Sequence, residues 1–323
     1  MNRRHFYGPF IYFCLTLILS FTVACNKKNE TQVGDNSEKL SGTIAIDGSS
    51  TVYPITEAVV EAYRTTQSNV RINIGVSGTG GGFKKFVRND ANDTIDINNA
   101  SRPIKESEKL EAEGNQISFT EIPVAYDGLT VVINPKNTWA TDLTSEELKS
   151  LWDMDSKIKK WNQIRASWPN RDIKLFGPGT DSGTFDYFSE AVNGKAGRSR
   201  NDYQKSEDDN VLITGVAGDV DALGYFGYAY YLENQDKLKA LAISHEGKPP
   251  VLPNEQTIMD GTYAPLSRPI FIYVKNASLK RPEVGNFINF YIEKAAGLVT
   301  EVGYIPLKPE QYLENLTKVK NVQ

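Results

Sequence analysis

The chain has 323 residues, with 36 Lys and Arg against 40 Asp and Glu and a net charge of −4 at neutral pH. No long basic run is present, which excludes a nucleic-acid surface of the usual electrostatic kind. Of two cysteines and two histidines, Cys14 and His5 fall in the N-terminal segment expected to be removed, and the Cys25 and His245 that remain are too few for a Cys/His zinc cluster or a histidine pair.

In chain order, basic Arg3 and Arg4 precede an apolar run over 10–23 that ends at Ala24 and Cys25. This pattern predicts a secretory signal, too short for a comfortable membrane span. A cysteine directly after a small residue resembles the lipobox of bacterial lipoproteins. It implies a signal peptide over 1–24, lipid on Cys25, and a flexible polar tether over 25–40. Cys14 leaves with the signal, so the remaining chain has no second cysteine for an internal disulfide. The rest, about 280 residues, suffices for one large domain or two smaller ones.

Residues 42–47 alternate as a first strand and run into Gly48-Ser49-Ser50-Thr51. Pro54 suits the first turn of a helix that carries Ile55, Val59 and Tyr63 on one face. Residues 70–76 form a second alternating strand, which ends in Ser77-Gly78-Thr79-Gly80-Gly81-Gly82 before a helix with Phe83, Phe86 and Val87. This is neither a nucleotide P-loop nor a dinucleotide-binding glycine pattern. Residues 95–97 lead to Ser101 and Arg102, where an arginine can fork two donors onto one oxyanion or make a surface ion pair. A charged helix is expected over 105–114, and then a long, mostly apolar segment over 119–134 with Asp127 in its middle.

A helix over 144–152 is expected, capped by Thr144, with Leu148, Leu151 and Trp152 inside. Residues 172–176 read as a buried strand entering Gly177-Pro178-Gly179-Thr180-Asp181-Ser182-Gly183-Thr184. The helix after it carries Phe185, Phe188 and Val192 on one face. The stretch 191–211 is polar and loop-like, and its Lys195, Arg198, Arg200 and Lys205 predict a solvated surface. A helix follows over 216–223, then a strand, turn and aromatic helix start over 224–231 whose tyrosines could line a cleft but at this spacing are expected in the core, then a strand over 238–243. A second long apolar segment spans 266–274, and a helix over 284–295 with Phe287, Ile288 and Tyr291 inward and another from Pro309 close the chain.

Strands alternating with helices predict an α/β fold with mainly parallel sheets. Three strand-to-helix corners are rich in Gly, Ser and Thr. Glycine exposes backbone N–H groups, the first helical turn leaves N–H groups unpartnered and favours an anion, and hydroxyls add donors. Taken alone, each corner also reads as an ordinary capped helix. Taken together with Arg102, they predict a cleft between two lobes that receives a small oxyanion at the carboxyl ends of the strands.

Five motifs stand in a fixed order: Asp47-Gly48-Ser49-Ser50-Thr51-Val52-Tyr53-Pro54, Ser77-Gly78-Thr79-Gly80-Gly81-Gly82, Asn99-Ala100-Ser101-Arg102-Pro103, Tyr126-Asp127-Gly128 and Asp181-Ser182-Gly183-Thr184. In this order they resemble the PstS-type phosphate-binding proteins of bacterial phosphate ABC importers, within the type II periplasmic binding protein superfamily. The resemblance implies a two-lobed α/β fold with the ligand cleft between lobes joined by two crossing strands. Lobe I would span 41–125 and 267–323, and lobe II 126–266. It implies a monomeric, non-enzymatic receptor without metal or cofactor, periplasmic or on the cell surface. Such a receptor captures inorganic phosphate and delivers it to the membrane permease subunits of an ABC importer.

Carried over residue by residue, the resemblance implies phosphate contacts from Ser50, Thr51, Ser77, Ser101, Arg102, Ser182, Gly183 and Thr184. Many relatives carry an arginine a few residues before Ser-Gly-Thr, where this chain has Gly177-Pro178-Gly179, so Arg102 is expected to supply the positive charge. The proton of hydrogen phosphate is expected to face Asp127 first and Asp181 second. The alternatives are a sulfate or molybdate receptor, a secreted phosphatase, for which no nucleophile–base pair stands out, and a surface adhesin.

Overall fold

Period-two Ile and Val make the first two strands, β1 (Gly42–Gly48) and β2 (Val70–Ile74), and β3 (Ile97–Ala100) is a short strand buried at every position. They alternate with α1 (Tyr53–Arg64), α2 (Thr79–Phe86) and α3 (Glu106–Gly114). The structure is a computed structural model that describes residues 39–89, 94–180, 182–206 and 208–323. The signal, Cys25, most of the expected tether and Asp181 lie outside the described residues. After α3 come β4 (Phe119–Ile133), β5 (Asp142–Thr144), α4 (Ser145–Trp152), β6 (Lys174–Pro178) and α5 (Gly183–Asn193). Next are β7 (Gln204–Ser206), α6 (Asp209–Gly218), β8 (Ala222–Gly227), α7 (Tyr228–Leu232), β9 (Lys239–Ala240), β10 (Ala242–Ser244) and α8 (Glu255–Met259). The chain closes with β11 (Ser267–Lys275), α9 (Asn276–Leu279), α10 (Pro282–Glu301), β12 (Ile305–Pro306) and α11 (Pro309–Lys320).

The main sheet runs β2-β1-β3-β11-β4-β8-β6-β7, with β9 and β12 added on β4. At one end β1 pairs parallel with β2 and β3, and at the other β6 pairs parallel with β7 and β8. The middle is antiparallel: β4 runs against β11 over 119–128 and against β8 over 129–133. The expected mainly parallel sheet is therefore mixed. Helical crossovers keep strands parallel at each end, whereas β4 carries the chain across and β11 brings it back. At 15 residues, β4 is long enough to belong to both ends.

Apolar cores lie to either side of this crossing. On one side α1 and α10 bury Val59, Tyr63, Phe287 and Tyr291, with Tyr63 and Phe287 edge to face at 5.2 Å. On the other, Trp152 of α4 meets Phe188 of α5 and Tyr225 of β8, and Phe188 stacks on Tyr225 at 3.7 Å. Burial of side chains this large contributes about 1.5–3 kcal/mol each.

Four local expectations change. The stretch expected as a solvated surface holds β7, and its Arg200 is only 4% exposed. The Arg200 guanidinium donates to the carbonyls of Leu151 and Ile158 at 2.8 and 3.0 Å and to Asp202, so it closes off the end of α4. The helix expected over 216–223 stops at Gly218, and Leu223 is already in β8. The strand expected over 238–243 is two short strands, because Lys239 and Ala240 pair with β4 while the next residues pair with β5. Of the tyrosines in 224–231, Tyr225 and Tyr228 are buried as expected, but Tyr230 is exposed and faces a cavity.

The cap expected at Thr144 is present. Thr144 Oγ1 accepts from the Glu147 N–H at 3.1 Å and the Glu147 carboxylate accepts from the Thr144 N–H at 2.8 Å. Thr144→Ala is expected to lower stability by about 1 kcal/mol, read as a drop in the unfolding midpoint. No change would mean that the reciprocal pair contributes nothing net.

Candidate functional site

The first corner, between β1 and α1, is shaped by a glycine and an acid. Gly48 has φ +130°, and a Cβ there would lie 2.2 Å from the Asn99 carbonyl oxygen, so the position requires glycine. Buried Asp47 accepts from the N–H of Gly48 at 2.7 Å, from the N–H of Ser77 at 2.9 Å, and from Lys85 at 2.6 Å. Burial pushes its carboxyl up, but these donors outweigh burial and hold it below the usual carboxylate value. Asp47 thereby ties the first corner to the second. Neither Ser50 nor Thr51 caps α1, whose N-cap is Val52 with no side-chain hydrogen bond. Ser50 Oγ instead donates to Asp186 at 3.3 Å.

The corner between β6 and α5 meets the first one tip to tip. Ser182 Oγ accepts from the Thr184 N–H at 3.1 Å, so here the capping role is real. Thr51 Oγ1 donates to the Gly183 carbonyl at 3.4 Å. A Cβ on Gly183 would stand 2.9 Å from Thr51 Cα and N, so only glycine allows this approach. Tyr304, after α10, donates its hydroxyl to the Thr51 carbonyl at 2.7 Å and braces the first corner from behind.

Ser50, Asp127, Ser182, Gly183 and Thr184 line one cavity of about 590 Å³, with Tyr230 and Tyr304 also in its wall. Thr51 stands directly behind, against Gly183. Ser77, Ser101 and Arg102 do not line it. They gather at the second corner, between β2 and α2, where Thr79 Oγ1 and Ser101 Oγ are 3.0 Å apart. Arg102 forks onto Glu108, with Nη1 to Oε2 at 2.9 Å and Nη2 to Oε1 at 2.8 Å, and lies over the Phe83 ring. Burial raises the Glu108 carboxyl, yet the hydrogen bonds from Arg102 and the Lys105 N–H, with the charges of both residues, together hold the group below the usual value.

Asp127 sits on β4 in register with Arg268 on β11, and Arg268 is the residue that sequence reasoning missed. Arg268 Nε lies 3.5 Å from Asp127 Oδ2, and neither of these buried atoms has a hydrogen bond among the described residues. Burial pushes the Asp127 carboxyl up, against the attraction of Arg268. Asp186 is likewise pushed up by burial, although Ser50 donates to it. A signal for Arg268 was present in the sequence: Ser101-Arg102-Pro103-Ile104 recurs as Ser267-Arg268-Pro269-Ile270. Chemically, the cavity offers hydroxyls, helix N-terminal N–H groups and a carboxylate around one small volume, with the Arg268 cation behind Thr51 and Asp127. That set suits a tetrahedral oxyanion that still carries a proton.

Comparison with known proteins points the same way. A PBP superfamily domain matches residues 33–295. The protein SphX of Synechocystis is 48% identical over 282 residues, which is 86% of this chain and 82% of that protein. The phosphate-binding protein PstS of Staphylococcus saprophyticus is 35% identical over 288 residues, 89% of this chain and 87% of its own. Among solved structures, a possible phosphate-binding protein from Planctomyces limnophilus is 49% identical with a TM-score of 0.84, covering 88% of this chain and 99% of that one. A putative phosphate ABC transporter substrate-binding protein from Clostridium perfringens, with bound phosphate, is 27% identical with a TM-score of 0.55 and covers 83% of this chain and 100% of its own.

Proposed function

We propose, from the premise that the chain belongs to the PBP superfamily and to its phosphate-binding proteins of the PstS and SphX kind, that it captures inorganic phosphate and hands it to an ABC importer. It is a receptor and not an enzyme. The observation that carries this reading is the meeting of two donor-rich helix N-termini at Thr51 and Gly183, beside one buried acid. Hydroxyls and N–H groups supply donors to the anion's oxygens, and an ionised Asp127 can only accept, which selects an anion that brings a proton.

In this reading Ser50, Thr51, Ser182, Gly183 and Thr184 hold the anion, and Asp127 faces its proton. Ser77 and Ser101 are expected to add hydroxyls from the second corner, on the same lobe as the first. Asp181 remains the second choice for the proton. The lobes divide at 125/126 and 266/267 and close about the two crossing strands, β4 and β11, because a ligand gripped from both sides shifts the population toward the closed form. The protein acts as a monomer outside the cytoplasm, anchored by lipid on Cys25. Cys25→Ser should therefore release it from the membrane fraction.

Calorimetric titration of the unliganded protein with phosphate, sulfate and molybdate tests the reading. Phosphate should bind at least about a hundredfold more tightly than either competitor, a difference of about 2.7 kcal/mol. Equal or tighter binding of sulfate or molybdate, or no heat with phosphate, would contradict it. Release of phosphate from phosphate esters would make it an enzyme instead.

A further inference from the structure

We propose that Arg268, on the returning strand β11, is the cation that grips the phosphate, in place of Arg102. The inference rests on the phosphate-receptor reading above.

Arg268 is 13% exposed in its side chain and is held on all sides. Its guanidinium carbon lies 3.3 Å from the centroid of the Tyr187 ring, a stacking that fixes the plane of the fork. Nη2 donates to Thr51 Oγ1 at 3.2 Å, at the tip of the first corner. Nε faces Asp127 Oδ2 at 3.5 Å without a hydrogen bond, and Nη1 has Glu190 Oε2 at 3.9 Å. A guanidinium carries five N–H donors. Among the described residues, the bond to Thr51 is the one close hydrogen bond of the Arg268 side chain, beside its ion pairs with Asp127 and Glu190.

Donors left over on a largely buried cation favour an acceptor anion placed beside it. A phosphate seated on Thr51 and the N-terminus of α5 brings acceptor oxygens to the same Thr51 hydroxyl that Arg268 already touches. Arg102 is in the opposite condition. Both arms of its fork are on Glu108. Neither arginine lines the cavity itself, but Arg268 stands directly behind the wall, against Thr51 and the lining residue Asp127. Binding through Arg102 would require breaking a two-armed ion pair first, whereas binding through Arg268 only adds bonds to a cation already oriented.

The position has a further consequence. Arg268 and Asp127 are register partners on the two strands that cross between the halves of the sheet. The anion's charge is thus met at the crossing itself by a cation, and its proton by an acid, with their spacing set by strand pairing, while the corners close over the other side.

The test is a phosphate titration of the wild type, Arg268→Ala, Arg268→Lys and Arg102→Ala, with thermal unfolding of each in the absence of phosphate. Arg268→Ala should weaken phosphate by about a hundredfold or more, since it leaves a buried anion without its cation. Arg268→Lys should recover only part, remaining about tenfold weaker, because a point charge lacks the fork. Arg102→Ala should stay within about threefold of wild type, with the loss appearing instead as lower stability. A folded Arg268→Ala that binds within about threefold of wild type overturns the inference, as does an Arg102→Ala that loses as much as Arg268→Ala. If Arg268→Ala does not fold, Arg268→Lys decides, and unchanged affinity there overturns it. A wild type that binds no phosphate would sink the receptor reading itself and the inference with it.

Discussion

Gly183→Ala is expected to bind phosphate about ten- to a hundredfold more weakly while unfolding at the same or a slightly higher temperature. The new methyl group would stand 2.9 Å from Thr51 Cα and N and 3.1 Å from the Ser50 carbonyl carbon. These are backbone atoms of the facing corner, so no side chain can rotate out of the way. Overpacking of this kind costs about 1–3 kcal/mol, and 1.4 kcal/mol is a factor of ten in affinity. The clash exists only when the two corners meet, so it acts on the closed cleft and spares the opened one. Within α5, alanine is a better helix former than glycine and loses less chain entropy on folding. Weaker binding without lost stability is therefore the signature of a blocked closure, and small-angle scattering with saturating phosphate should show the variant keeping a larger radius of gyration than wild type. Wild-type affinity in Gly183→Ala would mean that the corners need not touch when the anion is held.

Asp127→Asn is expected to narrow the preference for phosphate over sulfate by about a hundredfold, or about 2.7 kcal/mol. An ionised carboxylate accepts hydrogen bonds and cannot donate. Facing hydrogen phosphate it gains a bond, but facing sulfate it meets another acceptor and a like charge in a buried site. Asparagine keeps the shape and offers a donor, so phosphate weakens and sulfate strengthens. The pH dependence follows from burial, which raises the Asp127 carboxyl above its ordinary value despite Arg268. As pH falls through that raised value, the acid becomes a donor, and wild-type discrimination against sulfate should fade toward that of the variant. Stability runs the other way. A raised carboxyl in the folded state favours folding fully below the unfolded value of about 4, and this contribution is lost as pH rises through the folded value. Unliganded Asp127→Asn should lack that fall. If Asp127→Asn discriminates as wild type does while Asp181→Asn does not, the acid is Asp181. If both keep discriminating, neither of these two carboxylates sets the choice.

Much of this was legible from short-range pattern. The strand at 42–47, the helical faces of Ile55, Val59 and Tyr63 and of Phe185, Phe188 and Val192, and the Thr144 cap all follow from period and end chemistry. The corners at Ser50-Thr51 and Ser182-Gly183-Thr184 were legible because strand end, glycine and hydroxyl lie within a few residues. What depends on distant partners was not. Arg200 reads as a surface cation until the carbonyls of Leu151 and Ile158 are brought to it. Arg102 and Arg268 sit in the same four-residue motif, and only folding decides that Glu108 lies beside one and Thr51 and Asp127 beside the other. The antiparallel middle of the sheet was hidden for a similar reason, since pairing between residues 128 and 267 leaves no local trace.

A tetrahedral oxyanion is expected to sit where the first corner meets α5. Crystals of the unliganded protein soaked in arsenate, a tetrahedral analogue of phosphate, test this directly through the anomalous signal of arsenic. The account predicts a single strong peak in the cavity within hydrogen-bonding reach of Ser50, Thr184 and the Arg268 guanidinium. A peak at the second corner on Arg102, or no peak in the cavity at an arsenate concentration that displaces phosphate in solution, would contradict it.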